Sequence, residues 1–253
     1  MNFNIYLERG KFVEKEFWKA GNMLYPLPAV MVSCGRKDEK PNIVTVAWTG
    51  TICTNPAMVY ISLRPERYSY HIIKETKEFV INLTNKKLTK AVDYCGVRSG
   101  RDVDKFKEMN LTPVKGERIV APYIKEAPVS IECKVTQILE LGSHHMFIAK
   151  VEGVHVDKEY IDEKGKLDLN KSDLIVYSHG EYYDLNEKLG TFGYSVRKKA
   201  VLKEDNKKEV AKKKEKKNRL ENSISKKKVE IKKETKYRKE NSPYKRKHKQ
   251  KNK

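Results

Sequence analysis

Two arginines three positions apart, Arg64 and Arg67, stand between Ser62 and Ser69 in a loop that runs straight into a helical stretch. Such a loop offers guanidinium forks and, at the helix start, unpaired backbone N–H groups; both suit an anion such as phosphate. It reads equally as a solvated loop whose serine caps the helix. Ser99-Gly100-Arg101 precedes another helical stretch in the same way. Gly100 lets backbone approach a ligand, and Ser99 and Arg101 can donate hydrogen bonds. The alternative is a capped turn before an amphipathic helix, with Asp104 and Lys105 merely exposed. Trp48-Thr49 at a strand end offers a large flat surface and a hydroxyl, although an isolated tryptophan is commonly a core residue. Gly142-Ser143-His144-His145 sets imidazoles at a turn, either to contact a ligand or as a turn pair with no role.

No self-sufficient catalytic motif accompanies these residues. Gly-x-Ser-x-Gly, a phosphate-binding P-loop, His-Glu-x-x-His and the dinucleotide fingerprint are all missing from the sequence. Any chemistry is therefore expected to come from a cofactor, with the protein binding and orienting it. The four cysteines, Cys34, Cys53, Cys95 and Cys133, are widely spaced and contain no Cys-x-x-Cys pair. That spacing argues against a zinc site or a dithiol motif, and the apolar setting of each suggests a small core residue. The first residues show no signal-type apolar region, and no apolar run approaches the roughly 18–20 residues that span a bilayer. A cytoplasmic protein with free thiols and no membrane insertion is the expectation.

The elements that must position these residues occupy only part of the chain. Of 253 residues, 54 are Lys or Arg and 34 are Asp or Glu, a net charge of +20. From Arg197 to Lys253 stand 26 of the basic and 8 of the acidic residues, leaving 28 against 26 in residues 1–196. The body is thus nearly neutral and rich enough in apolar residues to bury a core; the Lys-rich segment 197–253 is low-complexity and is expected to be disordered or partly helical. Such a segment can contact polyanions weakly and without sequence preference. The basic total says nothing about what the folded part binds.

Within residues 1–196 a leader ends at Tyr25-Pro26-Leu27-Pro28, and apolar, β-branched runs follow. Strands are expected over Ala29–Cys34, Asn42–Trp48, Ala57–Leu63, Glu78–Leu83, Val129–Leu141 and Met146–Val156, with Leu174–Tyr177 a possible seventh. Short helices are expected at Ser69–Glu75, Leu88–Tyr94 and Asp102–Met109, the last with Asp102 as N-cap. They interrupt the strand series without alternating with it, so a compact antiparallel barrel with a few inserted helices fits better than a doubly wound parallel sheet.

The order Val46-Ala47-Trp48-Thr49-Gly50, Cys53-Thr54-Asn55-Pro56, Met58 to Leu63, Arg64 to Ile73, Cys95 to Phe106 and Gly142 to Phe147 resembles the flavin reductase-like, FMN-binding split-barrel family, especially its flavoredoxin-like branch. The resemblance runs from about Pro28 to about Val156 and extends plausibly to Val196. It implies an all-β core with short helices, an antiparallel split β-barrel of Greek-key type, packed as a homodimer with FMN near the subunit boundary. It further implies that the flavin ring lies against Val46, Ala47, Trp48 and Thr49. Ser62, Leu63, Arg64, Arg67 and Ser69 would then hold the ribityl chain and phosphate, joined by Ser99, Gly100 and Arg101. Ser-Gly-Arg-Asp-Val-Asp-Lys-Phe is similar to the family's Ser-Gly-x-Asp-x-Asp-Lys-Phe. Many members carry Gly-Asp-His to bind the nicotinamide nucleotide; here Gly142 and His144 match while Ser143 replaces the acid. The implied activity is FMN-dependent oxidoreduction, NAD(P)H supplying hydride and a free flavin or protein accepting electrons, with His144 as the nicotinamide contact. A flavin-binding electron carrier without NAD(P)H turnover is the alternative, and a polyanion-binding protein acting through the basic segment is the alternative of another class.

Overall fold

The computed structural model describes residues 6–8 and 11–196. The chain divides into two units, Met1–Glu187 and Lys188–Lys253. Of the second unit, only residues 188–196 are described, closing in a 3₁₀ turn at Tyr194–Val196; the Lys-rich segment 197–253 lies outside the described residues.

The first unit is built on β1 (Val30–Cys34), β2 (Asn42–Val46), β3 (Thr49–Cys53), β4 (Met58–Leu63), α1 (Tyr68–Thr76), β5 (Glu78–Asn82), α2 (Thr89–Val97), α3 (Lys105–Glu108), β6 (Val129–Leu141), β7 (His144–Val156), β8 (Ile175–Ser178) and β9 (Glu181–Asp184). Seven strands form one sheet in the order β2-β1-β5-β6-β7-β4-β3, every neighbouring pair antiparallel. β2 and β3 lie at opposite edges of this sheet, yet only Ala47 and Trp48 separate them in the chain. Two residues span at most about 7 Å, so the sheet must curl until its edges nearly meet. The result is an antiparallel split barrel, open along the line where Ala47 and Trp48 cross. The Ser62 N–H donates to the Trp48 carbonyl at 2.8 Å, carrying the β3–β4 pairing one residue past Thr49. β8 and β9 form a separate small sheet with Leu27–Pro28.

β1 is buried along its whole length because each of its faces meets a different core. Val30, Val32 and Cys34 pack inside with Val44, Val46, Phe79, Phe147 and the Tyr70, Ile72 and Ile73 face of α1. Ala29 and Met31 pack outward with Ile43, with Ala91, Val92 and Cys95 of α2, and with Phe106 and Ile124. Strand alternation puts the two sets on opposite sides. A hairpin loop between Pro113–Val114 and Tyr123–Ile124 is held by polar side chains. Glu132, fully buried, accepts from the Glu117 and Arg118 N–H groups at 2.7 and 2.8 Å and contacts His155 Nε2 at 2.5 Å.

Most expected elements are present; beside the unexpected short strands Pro113–Val114, Tyr123–Ile124 and Glu181–Asp184, four differences stand out. The strand expected over Asn42–Trp48 ends at Val46, and the loop expected after it contains β3. Thr-Gly-Thr-Ile-Cys lacks an apolar alternation because β3 is an edge strand with its middle exposed. α3 begins at Lys105, where Asp104 and not Asp102 is the cap, its carboxylate accepting from the Lys107 N–H at 3.2 Å; Asp102 is spent in a turn, its N–H on the Ser99 carbonyl. β7 starts at His144 because Gly142, at φ +59°, allows a two-residue hairpin loop with Ser143. Cys53 is half-buried, whereas Cys34, Cys95 and Cys133 are core thiols, and all four are free.

Candidate functional site

The opening of the barrel is a cleft made of two adjoining recesses. The first, about 690 Å³ including its open mouth, is lined by β2 and the crossing residues (Val44 to Trp48), by Ser62, Leu63, Arg64 and Arg67, and by Gly96, His144, Tyr177 and Tyr182. Trp48 is displaced from the core because it sits in the crossing, where neither sheet edge can cover it; it is 37% exposed. Its indole stacks on the His144 imidazole at 5.8 Å and 13°. The β8–β9 hairpin contributes two more aromatic faces, Tyr177 and Tyr182, with centroids 5.8 Å apart. The Tyr182 hydroxyl donates to Asp93 on α2 at 3.3 Å. This recess is a slot for a flat, mostly apolar body.

The second recess, about 430 Å³, is lined by Asn42, Val44, Glu66 to Ser69, Arg98 to Arg101 and Lys105. Val44 and Arg67 belong to both linings, so the two recesses adjoin across these residues. Arg67 is also the N-cap of α1, in extended conformation, and no side chain caps this helix or places an acid in its first turn. The first N–H groups of α1 and the positive end of its dipole are left for an anion. The Arg67 guanidinium is steered by the last turn of α2, Nη1 donating to the Gly96 carbonyl at 2.9 Å. Arg101 donates to the Glu66 carbonyl at 3.3 Å and lies over the Tyr68 ring. Ser69 is buried and accepts from Asn42 Nδ2 at 2.8 Å. Gly100 packs against that same amide: a Cβ there would stand 2.1 Å from Asn42 Oδ1 and 2.8 Å from Tyr68. Lys105 is buried beneath the recess, its ammonium donating to the Ile43 and Cys95 carbonyls at 2.7 and 2.8 Å. Three arginines and a lysine against one glutamate make this recess strongly positive.

That field and burial act on the titratable groups. Burial first, then Arg64, hold His144 below its usual range; Glu66 opposes them and Arg67 adds the smallest lowering. Its imidazole is therefore neutral at pH 7, and Nδ1 lies 3.0 Å from the Ser143 hydroxyl. Burial pushes the Cys34 thiol up to about 12 and the Cys95 thiol to about 11, which keeps both protonated beside the cleft.

Of the residues singled out in the sequence, Val46, Ala47, Trp48, Ser62, Leu63, Arg64 and His144 line the first recess, Ser69, Ser99, Gly100 and Arg101 the second, and Arg67 both. Thr49 is the exception. It is buried, and its hydroxyl donates to the Tyr60 carbonyl at 2.6 Å, so it holds the β3–β4 pair and presents no donor to the cleft. Arg64 reaches the rim, exposed and 3.6 Å from Glu66. His144 is the first residue of β7 and faces Trp48. Sequence reasoning missed Asn42, Arg98, Lys105, Tyr177 and Tyr182. Lys105 gave no signal among the charges of Asp102 to Glu108, and the tyrosines come from a hairpin far along the chain that only folding brings to the cleft.

Residues 22–186 match the family model for the flavin reductase-like domain. The chain belongs to the flavin reductase-like family. Among solved structures, flavoredoxin of Desulfovibrio vulgaris (Miyazaki F) is 34% identical with a TM-score of 0.67, covering 72% of this chain and 100% of that one. Flavoredoxin from Methanosarcina acetivorans is 26% identical with a TM-score of 0.65 over the same shares. A curated relative, an uncharacterized protein of Archaeoglobus fulgidus, is 31% identical over 163 residues, 64% of this chain and 90% of that one. The family match covers the split barrel and ends before the basic C-terminal segment. Both recesses lie within the matched residues.

Proposed function

We propose that this flavin reductase-like protein holds FMN in the cleft, ring system in the aromatic recess and phosphate in the cationic one, and works as a flavin-dependent oxidoreductase. The observation that supports this most strongly is that an aromatic recess and a cationic one adjoin, with Arg67 lining both. A flat apolar ring joined to a dianionic phosphate needs an aromatic slot opening into a group of cations, and this donor set fits that need. When bound, FMN supplies the redox chemistry, accepting hydride and passing electrons to a free flavin or a protein acceptor. The chain's own residues bind and orient. Trp48, Val46, Ala47 and Leu63 bracket the ring; Arg67, Arg101 and the first N–H groups of α1 meet the phosphate; Ser99 and Gly100 shape the loop around it. His144, neutral at pH 7 and stacked on Trp48, would contact a nicotinamide laid in the slot, making NAD(P)H the hydride donor.

A second reading, an FMN-binding electron carrier without NAD(P)H turnover, is favoured by Ser143. Its hydroxyl is engaged with His144 Nδ1 and it carries no carboxylate for a ribose or amide of the nucleotide. Purified protein separates the readings. A yellow preparation, or a colourless one that turns yellow with added FMN and retains it through gel filtration, supports both. Oxidation of NADH or NADPH by the loaded protein supports the reductase; its absence, with reduction only by chemical or protein donors, supports the carrier. Protein that refuses FMN rejects both. The homodimer expected for such a site is checked in the same gel filtration.

A further inference from the structure

Lys105 carries its charge in an unusual setting. The residue is only 4% exposed, and its ammonium rests on two neutral carbonyls, Ile43 of β2 and Cys95 of α2. The groups facing it are Cys34 of β1, Cys95 of α2 and Arg67 at the start of α1. Arg98, Arg101 and Glu66 are the remaining charged residues of the recess above. The two thiols stay protonated near neutral pH, so they contribute no anion. A buried ammonium solvated by carbonyl dipoles and faced by an arginine lacks a counter-charge. A dianion arriving in the recess supplies one, and by linkage it must then favour the protonated lysine.

We propose that Lys105 makes phosphate binding in this cleft proton-linked: the ligand's dianion completes the buried ammonium, and affinity is lost as the lysine deprotonates. This rests on the FMN reading above and adds a pH-sensing element to it. Burial is the main cause that brings Lys105 down to about 8, with Arg67 lowering it further. The phosphate's second ionisation, near 6, is complete before Lys105 begins to titrate, so the ligand's own charge does not change across the window. Lys105 is a positioning residue for charge here, not a redox participant.

The test is a titration of flavin-free protein with FMN between pH 7 and 9.5 at constant ionic strength, with riboflavin, which lacks the phosphate, as the control. The expected result is an FMN Kd that is level near pH 7 and weakens above pH 8 toward a limit of about tenfold per pH unit. Calorimetry in two buffers of different ionisation heat should show uptake of about half a proton at pH 8. Riboflavin affinity should stay level. Lys105→Arg, a cation that does not titrate in this range, should flatten the FMN profile. Lys105→Met should flatten it too, at the weaker affinity that the natural protein reaches at high pH. A level FMN profile in the natural protein, or a slope that survives in a folded variant, overturns the role of Lys105 while leaving the FMN site standing. Absence of FMN and riboflavin binding at pH 7 overturns both.

Discussion

Single atoms decide whether the second recess exists. Gly100 has an ordinary backbone conformation, but a methyl group there would run into the Asn42 amide and the Tyr68 ring. Asn42 in turn holds Ser69, so any shift propagates into the anion-facing start of α1. Gly100→Ala should therefore weaken FMN binding by at least about tenfold while costing about 1–3 kcal/mol of stability, the usual range for overpacking a tight site. Flavin fluorescence titration and denaturant unfolding of the same preparation measure the two effects. Natural affinity in Gly100→Ala would mean that the Asn42–Ser69 contact has no part in the site.

Two elements carry opposite burdens. The start of α1 is left uncapped and depends on arginines for its positive field. Arg64 and Arg67 are exposed, so the double change Arg64→Glu/Arg67→Glu should leave unfolding nearly unchanged and abolish FMN retention. Retained FMN in that folded variant would refute the phosphate assignment. The hairpin loop over Glu132 is pinned from beneath by that buried carboxylate, with Glu78 also accepting from the Val120 N–H at 2.7 Å. Burial alone would push the Glu132 carboxyl up, but hydrogen bonds from His155 and from the Glu117 and Arg118 N–H groups outweigh it and hold the carboxyl below the usual range. A depressed folded-state value means that this stabilisation is fully present above the unfolded-state value of about 4.3 and is lost as pH falls below it. Glu132→Gln should cost about 2–4 kcal/mol at pH 7, since one acceptor oxygen and the charge opposite His155 are both removed. The deficit should shrink as pH falls through 4. Denaturant melts at pH 7 and pH 3.5 test this, and an equal deficit at both values would show that packing, not ionisation, holds the loop.

For the whole molecule, the charge and the cleft belong to different parts of the chain. Every residue lining the two recesses lies between Ala29 and Tyr182, while nearly all the net charge lies beyond Val196. Truncation after Val196 should leave flavin content and redox activity unchanged and remove any affinity for RNA, DNA or other polyanions. In the full chain that affinity should fall steeply with salt and show little sequence preference. Filter binding at two salt concentrations, beside a flavin absorbance spectrum of the truncated protein, distinguishes the outcomes. A truncated protein that loses flavin would place the basic segment in the folded unit.

The sequence by itself determined the strands from β-branched runs such as Val30–Cys34 and Val129–Leu141, the three short helices, and the arginine loop opening onto α1. These are local signals: alternation, turn residues and charge act within a few positions and survive in the linear chain. It also marked Trp48 and Arg67, whose types are suggestive wherever they fall. Only tertiary structure decided that β2 and β3 sit at opposite sheet edges, because a two-residue link reads as an ordinary loop until five other strands are interposed. That closure is what exposes Trp48, turns the Thr49 hydroxyl inward to Tyr60, and sets Tyr177 and Tyr182 of a distant hairpin beside the first recess. The same holds for Lys105. In the linear chain it is one lysine among many charges; its burial on two carbonyls follows from α2 and α3 packing against β2, a non-local event that no short window of sequence contains.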